Sequence, residues 1–576
     1  MLKKYRGYLV SFVMLASVLI GAISTGLVVA HGQNSSPGNT STNTIGSAES
    51  VTAPLVYMHT VNMHDAPAAT APSSTKPMDR QRPLLTGTSA AAYAQIKAET
   101  AHNPSAPFDA SAIQNTSNIL PDTPPTINKF NGMADSPSIC PPTGCEPPDM
   151  AIAASTQWVF QGVNTAFAVY TTKGTLQSGW PKTSQDFFGV QNPGSCDPNG
   201  AYMTDPRAFY DPADGRFWVA MLQLQGGFAD KCPLLSLYWV GVSQTSDPNG
   251  KWNMYAFDML LGTKNVADYT RFGFDSEAVY LSVNMYDKTG NIYKYAQVLA
   301  ADKAQMEAGA KVTAKGFRKL KVGSTYVDTV QPVETQATGK KAPGAELLIS
   351  SFNINSGGTD CRKGCSGVVV WSFAHANGKN QSLTQVSIST PTYVLPPQAD
   401  QPGCNQCIET LDTRITGTPV YQSGFISFAL ETGVNNGSQV VPGIFWGEVQ
   451  PSLDNNGKIT GATLLQSGTL AFQGDEAASF GCTMIDKNGN LLIVFDTMSN
   501  SLNPSIMYTE HKKSDQPGML DNPKFLVKGL QPTNNGRWGD FEATSYNGAG
   551  KNQVWFASEY AGENQDWGSY VGEVHL

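Results

Sequence analysis

Histidine is nearly absent from most of this chain: beyond residue 125 only His375, His511 and His575 occur. A Ser-His-Asp triad or a histidine-rich metal centre is therefore poorly supplied. No G-x-S-x-G, H-E-x-x-H or phosphate-binding glycine loop is present, so the sequence carries no nucleophile elbow, zincin or nucleotide signature. Charged residues make up only 15 %, with a net charge of −8; lacking a basic footprint, the chain is not read as a nucleic-acid binder. After residue 30 no apolar stretch is long enough to span a bilayer. What is plentiful is glycine (55) and proline (36), beside a hydrophobic content of 40 %. Many turns around a sizeable core is the profile of an all-β protein.

The N-terminus places Lys3, Lys4 and Arg6 ahead of an uncharged run from Leu9 to Ala30, ending in the small residues Val28, Val29 and Ala30. Residues 1–30 read as a signal peptide or an N-terminal membrane anchor, and either sends the remainder out of the cell, secreted or held at the surface. Residues 31–125 are rich in Ser, Thr, Ala and Pro. Such a composition buries too little apolar surface to offset its ordering entropy, so a disordered linker or stalk is expected, with helix-forming composition only in AAAYAQIKAET, 90–100. Nine cysteines suit an oxidising compartment. Cys140 and Cys145, Cys361 and Cys365, and Cys404 and Cys407 lie as close pairs, Cys196 and Cys232 are more isolated, and Cys482 is left over. The first eight are expected in disulfides; a zinc site from Cys361, Cys365, Cys404 and Cys407 is the alternative.

From residue 126 the texture changes to short β-type runs between turns. A turn followed by an apolar strand recurs as STQWVFQGV, ADGRFWVAML, DSEAVYLSV, PGAELLISSF, QSGFISFAL, KNGNLLIVF and GKNQVWFAS. A second strand follows each, beginning at residues 167, 237, 293, 368, 444, 505 and 569, about 67 residues apart on average. Further β-rich runs such as WNMYAFDM, SLTQVSIST and ITGATLLQSG complete a four-stranded unit. The expected fold is thus a seven-bladed β-propeller over 126–576, with six or eight blades the nearest alternatives. INKFNG (127–132) could supply the outer strand that the last unit lacks. Turns of the form D-x-x-G at 247–250, 287–290, 454–457 and 486–489 read as aspartate-capped hairpin ends. Calcium at such turns is the minor alternative, since it needs six or more oxygen ligands.

CEPPDMAIAASTQWVFQGVNTAFAVY, TLDTRI, NPSIMYTEH and GRWGDFEATS resemble segments of a group of large secreted bacterial proteins with propeller folds, over about residues 145 to 576. The resemblance implies export and a propeller but no reaction. Some members are loosely sialidase-like, yet the sialidase Asp-box is not intact here; TSDPNGKW (245–252) comes nearest.

An aspartate opens each unit: Asp149, Asp205, Asp268, Asp328, Asp412, Asp475 and Asp540. Arg207, Arg271, Arg414 and Arg537 lie within three residues of Asp205, Asp268, Asp412 and Asp540. At the mouth of a propeller channel these groups could clamp a carboxylate or sulfate, or they could simply pair with one another. Glu542 and Glu559 are candidate glycosidase carboxylates, and Tyr286 and Trp567, expected in loops, are candidate stacking platforms. Tryptophans 158, 218, 239, 371, 446 and 555 are expected to pack inside strands. The leading functional reading is an extracellular recognition or scaffold module with a glycan or protein ligand; the alternative is a glycan-active hydrolase or lyase. No cofactor beyond calcium is implied, and no membrane contact beyond the N-terminal anchor.

Overall fold

The computed structural model describes residues 41–43, 48–69, 90–108, 122–140, 145–190, 202–225, 233–290, 292–352, 361–378, 380–534, 536–547 and 552–576. The segment 1–30, Cys196 and Cys232 lie outside them. The molecule is mostly β, built of antiparallel meanders taken in chain order. The first runs Ala151–Ala154, Trp158–Val163, Ala166–Thr171, Lys182–Thr183; the second Tyr202–Asp211, Arg216–Gln225, Leu235–Ser243, Lys251–Asp258. The third is Val266–Phe274, Ala278–Tyr286, Tyr293–Asp302, Ala314–Arg318, and the fourth Gln331–Pro332, Glu346–Phe352, Cys365–Ala374, Ser382–Tyr393. The fifth comprises Val420–Gln422, Phe425–Asn435, Val440–Leu453, Ile459–Leu470, and the sixth Ala477–Ile485, Leu491–Ser499, Leu502–His511, Lys524–Val527. The seventh joins Ala543–Tyr546, Gln553–Ala561 and Trp567–His575 to a strand from far upstream, Asn128–Ala134. That strand sets Asn128 opposite Glu573 and Phe130 opposite Val571. Glu334–Thr335 pairs in parallel with both Phe274 and Val420, merging the third and fifth meanders into one ten-stranded sheet.

The middle strands are continuous apolar runs because both faces are covered. Every residue of Leu491–Ser499 is buried, for example, which is the signature of a sheet packed between two neighbours. The apolar clusters show those neighbours. Phe160 and Val169 of the first meander pack with Phe217 and Trp239 of the second, Phe209 of the second with Phe274 of the third, and Leu492 of the sixth with Phe556 of the seventh. Ile152 and Val159 of the first also share a cluster with Trp555 and Val571 of the seventh. The D-x-x-G turns hold themselves together: Asp454 Oδ1 accepts from Asn456 N at 2.8 Å and Asp486 Oδ1 from Asn488 N at 2.8 Å. The closing Gly457 and Gly489 sit at φ 73° and 90°, where a Cβ would be strained.

Between residues 31 and 125 the structure departs from the expected linker. Glu49–Ala53 adds a strand to the outer edge of the third meander and Leu55–Asn62 to that of the second, while Ser41–Asn43 pairs with the outer strand of the fourth. LVYMHTVN is rich in strand formers, and an unpaired outer edge supplies the backbone partners that outweigh the ordering cost. Ala69 N then donates to Pro181 O of the first meander at 2.9 Å. Residues Ala90–Thr100 form a helix, here called α1, and Asp122 bridges to Asn522 beside the sixth meander. The N-terminal chain thus travels backwards along the outer edges from the fourth meander to the first.

Among the described residues no helix is long and apolar enough to cross a membrane. Cys140 bonds Cys145 and Cys361 bonds Cys365, while Cys404 and Cys407 lie side by side; the Cys361–Cys365 link removes two of the four thiolates that the zinc alternative needed. Cys482 is free and buried, its thiol pushed up to about 11 by desolvation.

Candidate functional site

One backbone device recurs at the start of the inner strands. Asp149, Asp205, Tyr269, Thr329, Leu411 and Phe480 all adopt a left-handed conformation, with φ between 46° and 59°. Side-chain-bearing residues pay for that region in steric strain, so six repeats of it mark an imposed geometry rather than chance. At Asp205, Tyr269 and Phe480 the ladder slips at the same point: the register shifts between Ala220 and Leu222, between Asp268 and Arg271, and between Ser479 and Cys482. The bulge re-aims the residue two positions on, which in the second and third meanders is Arg207 and Arg271.

These strand starts converge. Tyr269, Leu411, Phe480, Trp538 and Phe541, drawn from four meanders, share one buried apolar cluster. Three guanidinium groups stand against its two central rings. Arg207 Cζ lies 3.2 Å from the Phe541 centroid, Arg271 Cζ 3.7 Å from that of Tyr269, and Arg414 Cζ 4.2 Å from the same Tyr269 ring. Ring quadrupoles favour such placement, by about 2 kcal/mol or more where water is excluded. Tyr269 is fixed in turn by its hydroxyl, which donates to Asp540 O at 3.2 Å.

The three arginines differ in their partners. Arg414 holds Asp412 in a bidentate pair, both bonds 2.7 Å long. Burial opposes both charges, but each stabilises the other: the Asp412 carboxyl falls below its ordinary range and the Arg414 guanidinium rises well above. Arg207 makes a single hydrogen bond, Nε to Thr270 O at 3.1 Å, and its Nη2 has no partner; burial pulls its pKa down. Arg271 is 1 % exposed, and none of its three guanidinium nitrogens has a hydrogen-bond partner. A buried guanidinium with every donor unmet is a costly arrangement that an oxyanion would relieve.

Aspartates surround this cluster. Asp149 accepts from Asn164 Nδ2 and from Asp540 N, each at 2.9 Å. Asp205 accepts from Thr204 Oγ1 at 2.7 Å and from Thr270 N at 3.2 Å. Burial raises both, Asp149 further because Asp540 and Asp205 are near. Asp540 pairs with Arg537 at 2.7 Å. In the other units the left-handed position passes to a neighbour: Tyr269 takes it beside Asp268, Thr329 beside Asp328, and Leu411 beside Asp412. Asp475 accepts from Asn500 N at 2.9 Å and remains half-exposed. Tyr286 and Trp567 are buried at strand ends instead of displayed in loops, so neither offers a stacking face. Trp218, Trp239, Trp371, Trp446 and Trp555 are buried within strands, and Trp158 is half-buried.

Glu542 and Glu559 do come together, and a third acid joins them that the sequence reading passed over. Asp496, Glu542 and Glu559 are buried, with one carboxylate oxygen of each within 4.8 Å of the others. Trp538 Nε1 and Ser558 Oγ hold Asp496 at 2.6 and 2.5 Å, and Gly539 N donates to Glu559. Desolvation pushes Asp496 up to about 7 and the two glutamates well above their usual range. Three carboxyls so placed hold protons near neutral pH or, as an all-oxygen donor set, suit a hard cation. Asp496 lies inside the fully buried strand Leu491–Ser499 without a flanking motif, so no sequence signal distinguished it.

No family model matches the chain, and no curated protein does. Solved structures similar to it include an α-L-arabinanase from Penicillium chrysogenum complexed with arabinobiose, at 8 % identity and TM-score 0.36, covering 78 % of this chain and 99 % of that one. An α-L-arabinofuranosidase from Fusarium graminearum matches at 10 % identity and TM-score 0.34, covering 78 % and 98 %. A Trypanosoma rangeli sialidase matches at 10 % identity and TM-score 0.31, covering 65 % and 56 %. At these TM-scores the likeness decides neither fold nor function.

Proposed function

We propose that residues 126–576 form a seven-bladed β-propeller, exported to the surface or the medium, which recognises an acidic glycan at its channel mouth. The supporting observation is Arg271: a buried guanidinium, oriented by Tyr269, with three unpartnered nitrogens. Arg207 Nη2 adds a further unmet donor. A sugar carboxylate or sulfate would accept from several of these donors in the forked geometry that guanidinium favours. Arg414, already held by Asp412 in a bidentate pair, shapes the site instead of contacting the ligand.

Isothermal titration of glucuronate- and sulfate-bearing oligosaccharides, with neutral oligosaccharides as controls, tests this reading. Binding of the acidic set that disappears in Arg271→Ala is expected; equal binding of neutral sugars, or none of either, overturns it.

Hydrolysis of that glycan is the second reading, favoured by the raised carboxyls of Asp496, Glu542 and Glu559. A carboxyl still protonated at neutral pH is what a glycosidic general acid requires. Chromatography of acidic oligosaccharides after prolonged incubation checks it, and intact substrate confines the protein to recognition.

A further inference from the structure

α1 meets the body of the protein through polar groups. Its buried side chains are Tyr93, Lys97 and Thr100, on one helical face, whereas Ala92, Ala94, Gln95, Ala98 and Glu99 are exposed. Lys97 is fully buried; its Nζ donates to Thr410 Oγ1 at 2.9 Å and to Leu411 O, and lies 3.7 Å from Glu409 Oε1. The Tyr93 hydroxyl donates to the same Leu411 carbonyl at 3.4 Å. Leu411 is the left-handed residue of the fifth meander and belongs to the apolar cluster of Tyr269 and Phe541. The charges of Asp412, Arg414 and Asp540 are all felt at the Tyr93 hydroxyl, so α1 stands on the Arg414 side of the guanidinium cluster.

The character of this contact is unusual for a docked helix. Helices normally adhere through an apolar stripe, whereas the centre of this buried face is an ammonium group, which burial disfavours and Glu409, Asp412 and Glu431 only oppose. Contacts of this kind contribute only a modest net free energy, because making them exchanges solvent hydrogen bonds for internal ones. The chain leaves α1 through Pro107, whose carbonyl accepts from Asn435 N at 3.0 Å. This anchor holds the segment near the site whether or not the helix itself is seated.

We propose that α1 is a built-in reversible cover of the arginine site, latched by Lys97 in the Glu409–Thr410–Leu411 pocket, and that the acidic ligand enters when the latch opens. The proposal rests on the reading of Arg207 and Arg271 as a ligand site, so its test includes a readout that needs no ligand. In the full chain, Arg271 and Arg414 are modified with phenylglyoxal and the labelled peptides followed by mass spectrometry. Lys97→Ala, and independently Glu409→Gln, should speed labelling of these arginines about tenfold, as expected for loss of charged hydrogen bonds, with the melting temperature of the body preserved. Both variants should also accelerate binding of a glucuronate-bearing oligosaccharide.

Unchanged labelling in both folded variants overturns the cover. Faster labelling without binding of any acidic probe keeps the cover and removes the glycan reading. Hydrogen exchange settles the case in which a variant fails to fold: in the unaltered protein the amides of α1 should exchange well ahead of the strands around Leu411, and protection equal to those strands overturns the proposal.

Discussion

Arg207 sits over the ring of Phe541, its guanidinium carbon 3.2 Å from the ring centroid, while its Nε donates to the Thr270 carbonyl. The second meander is thereby tied to the seventh by a ring and to the third by a hydrogen bond. Its neighbours Arg271 and Arg414 occupy comparable positions with very different partners, and that contrast separates a structural charge from an available one.

Arg414→Ala should destabilise the protein by about 3–5 kcal/mol, because it leaves the buried Asp412 carboxylate without its bidentate partner. Arg271→Ala should destabilise it less, by about 2 kcal/mol, since it gives up ring contacts but no hydrogen bonds. Thermal unfolding of the two variants side by side checks both. Equal destabilisation would mean that Arg271 is as structural as Arg414.

The Asp496, Glu542 and Glu559 group gives a pH dependence whose sign is fixed. Their carboxyls are raised in the folded state, Asp496 to about 7, so the folded protein keeps protons that the unfolded chain releases near pH 4. The stabilisation is complete below that pH and is lost as pH rises through 7, at about 1.4 kcal/mol per pH unit for each retained proton. Guanidinium unfolding at pH 5, 6, 7 and 8 should show the decline, and Glu542→Gln should flatten it. A slope the same in both proteins would rule the group out as its source.

Non-reduced peptide mapping should recover Cys361 linked to Cys365 and Cys404 linked to Cys407. Cys482 should resist alkylation until the protein unfolds, because burial keeps its thiol protonated. Four free thiols with stoichiometric zinc would restore the metal alternative.

Truncation should have graded effects. A chain beginning at Asp122 retains the Asn128–Ala134 strand, whereas one beginning at Ser136 uncovers the edge of Trp567–His575 and should unfold at lower temperature. Both lack Glu49–Ala53 and Leu55–Asn62, so the outer strands of the second and third meanders become free edges. Light scattering should therefore show that the Asp122 chain self-associates more than the full chain; equal solubility would make those N-terminal strands dispensable.

The strand pairs were legible because a buried hairpin needs an apolar run on each side of a turn, and KNGNLLIVF or GKNQVWFAS display that directly. The aspartate frame was only partly legible. The left-handed position selects a backbone conformation, which Asp149 and Asp205 fill as readily as Tyr269, Leu411 or Phe480, so counting aspartates tracks it unevenly. The N-terminal strands were missed because composition averaged over 31–125 hid LVYMHTVN among Ser, Thr and Pro. A short strand without a partner has no reason to form, and its partner lies nearly two hundred residues away at Lys251–Asp258. The buried acids of the candidate site had no local pattern at all, since Asp496 meets Glu542 and Glu559 only through tertiary packing.

The pairing of Asn128 with Glu573 carries a consequence for the order of synthesis. The strand at 128–134 leaves the ribosome more than four hundred residues ahead of the partner it pairs with. Until residue 575 is released, its hydrogen-bonding edge and Phe130 have no native neighbour across the sheet, a state open to proteases and to mispairing. A chain stopped before Trp567 therefore forfeits the pairing of its upstream strand together with the downstream one. Quality control acting on that exposed edge would discriminate chains that have closed this sheet from those that have not, without any dedicated signal.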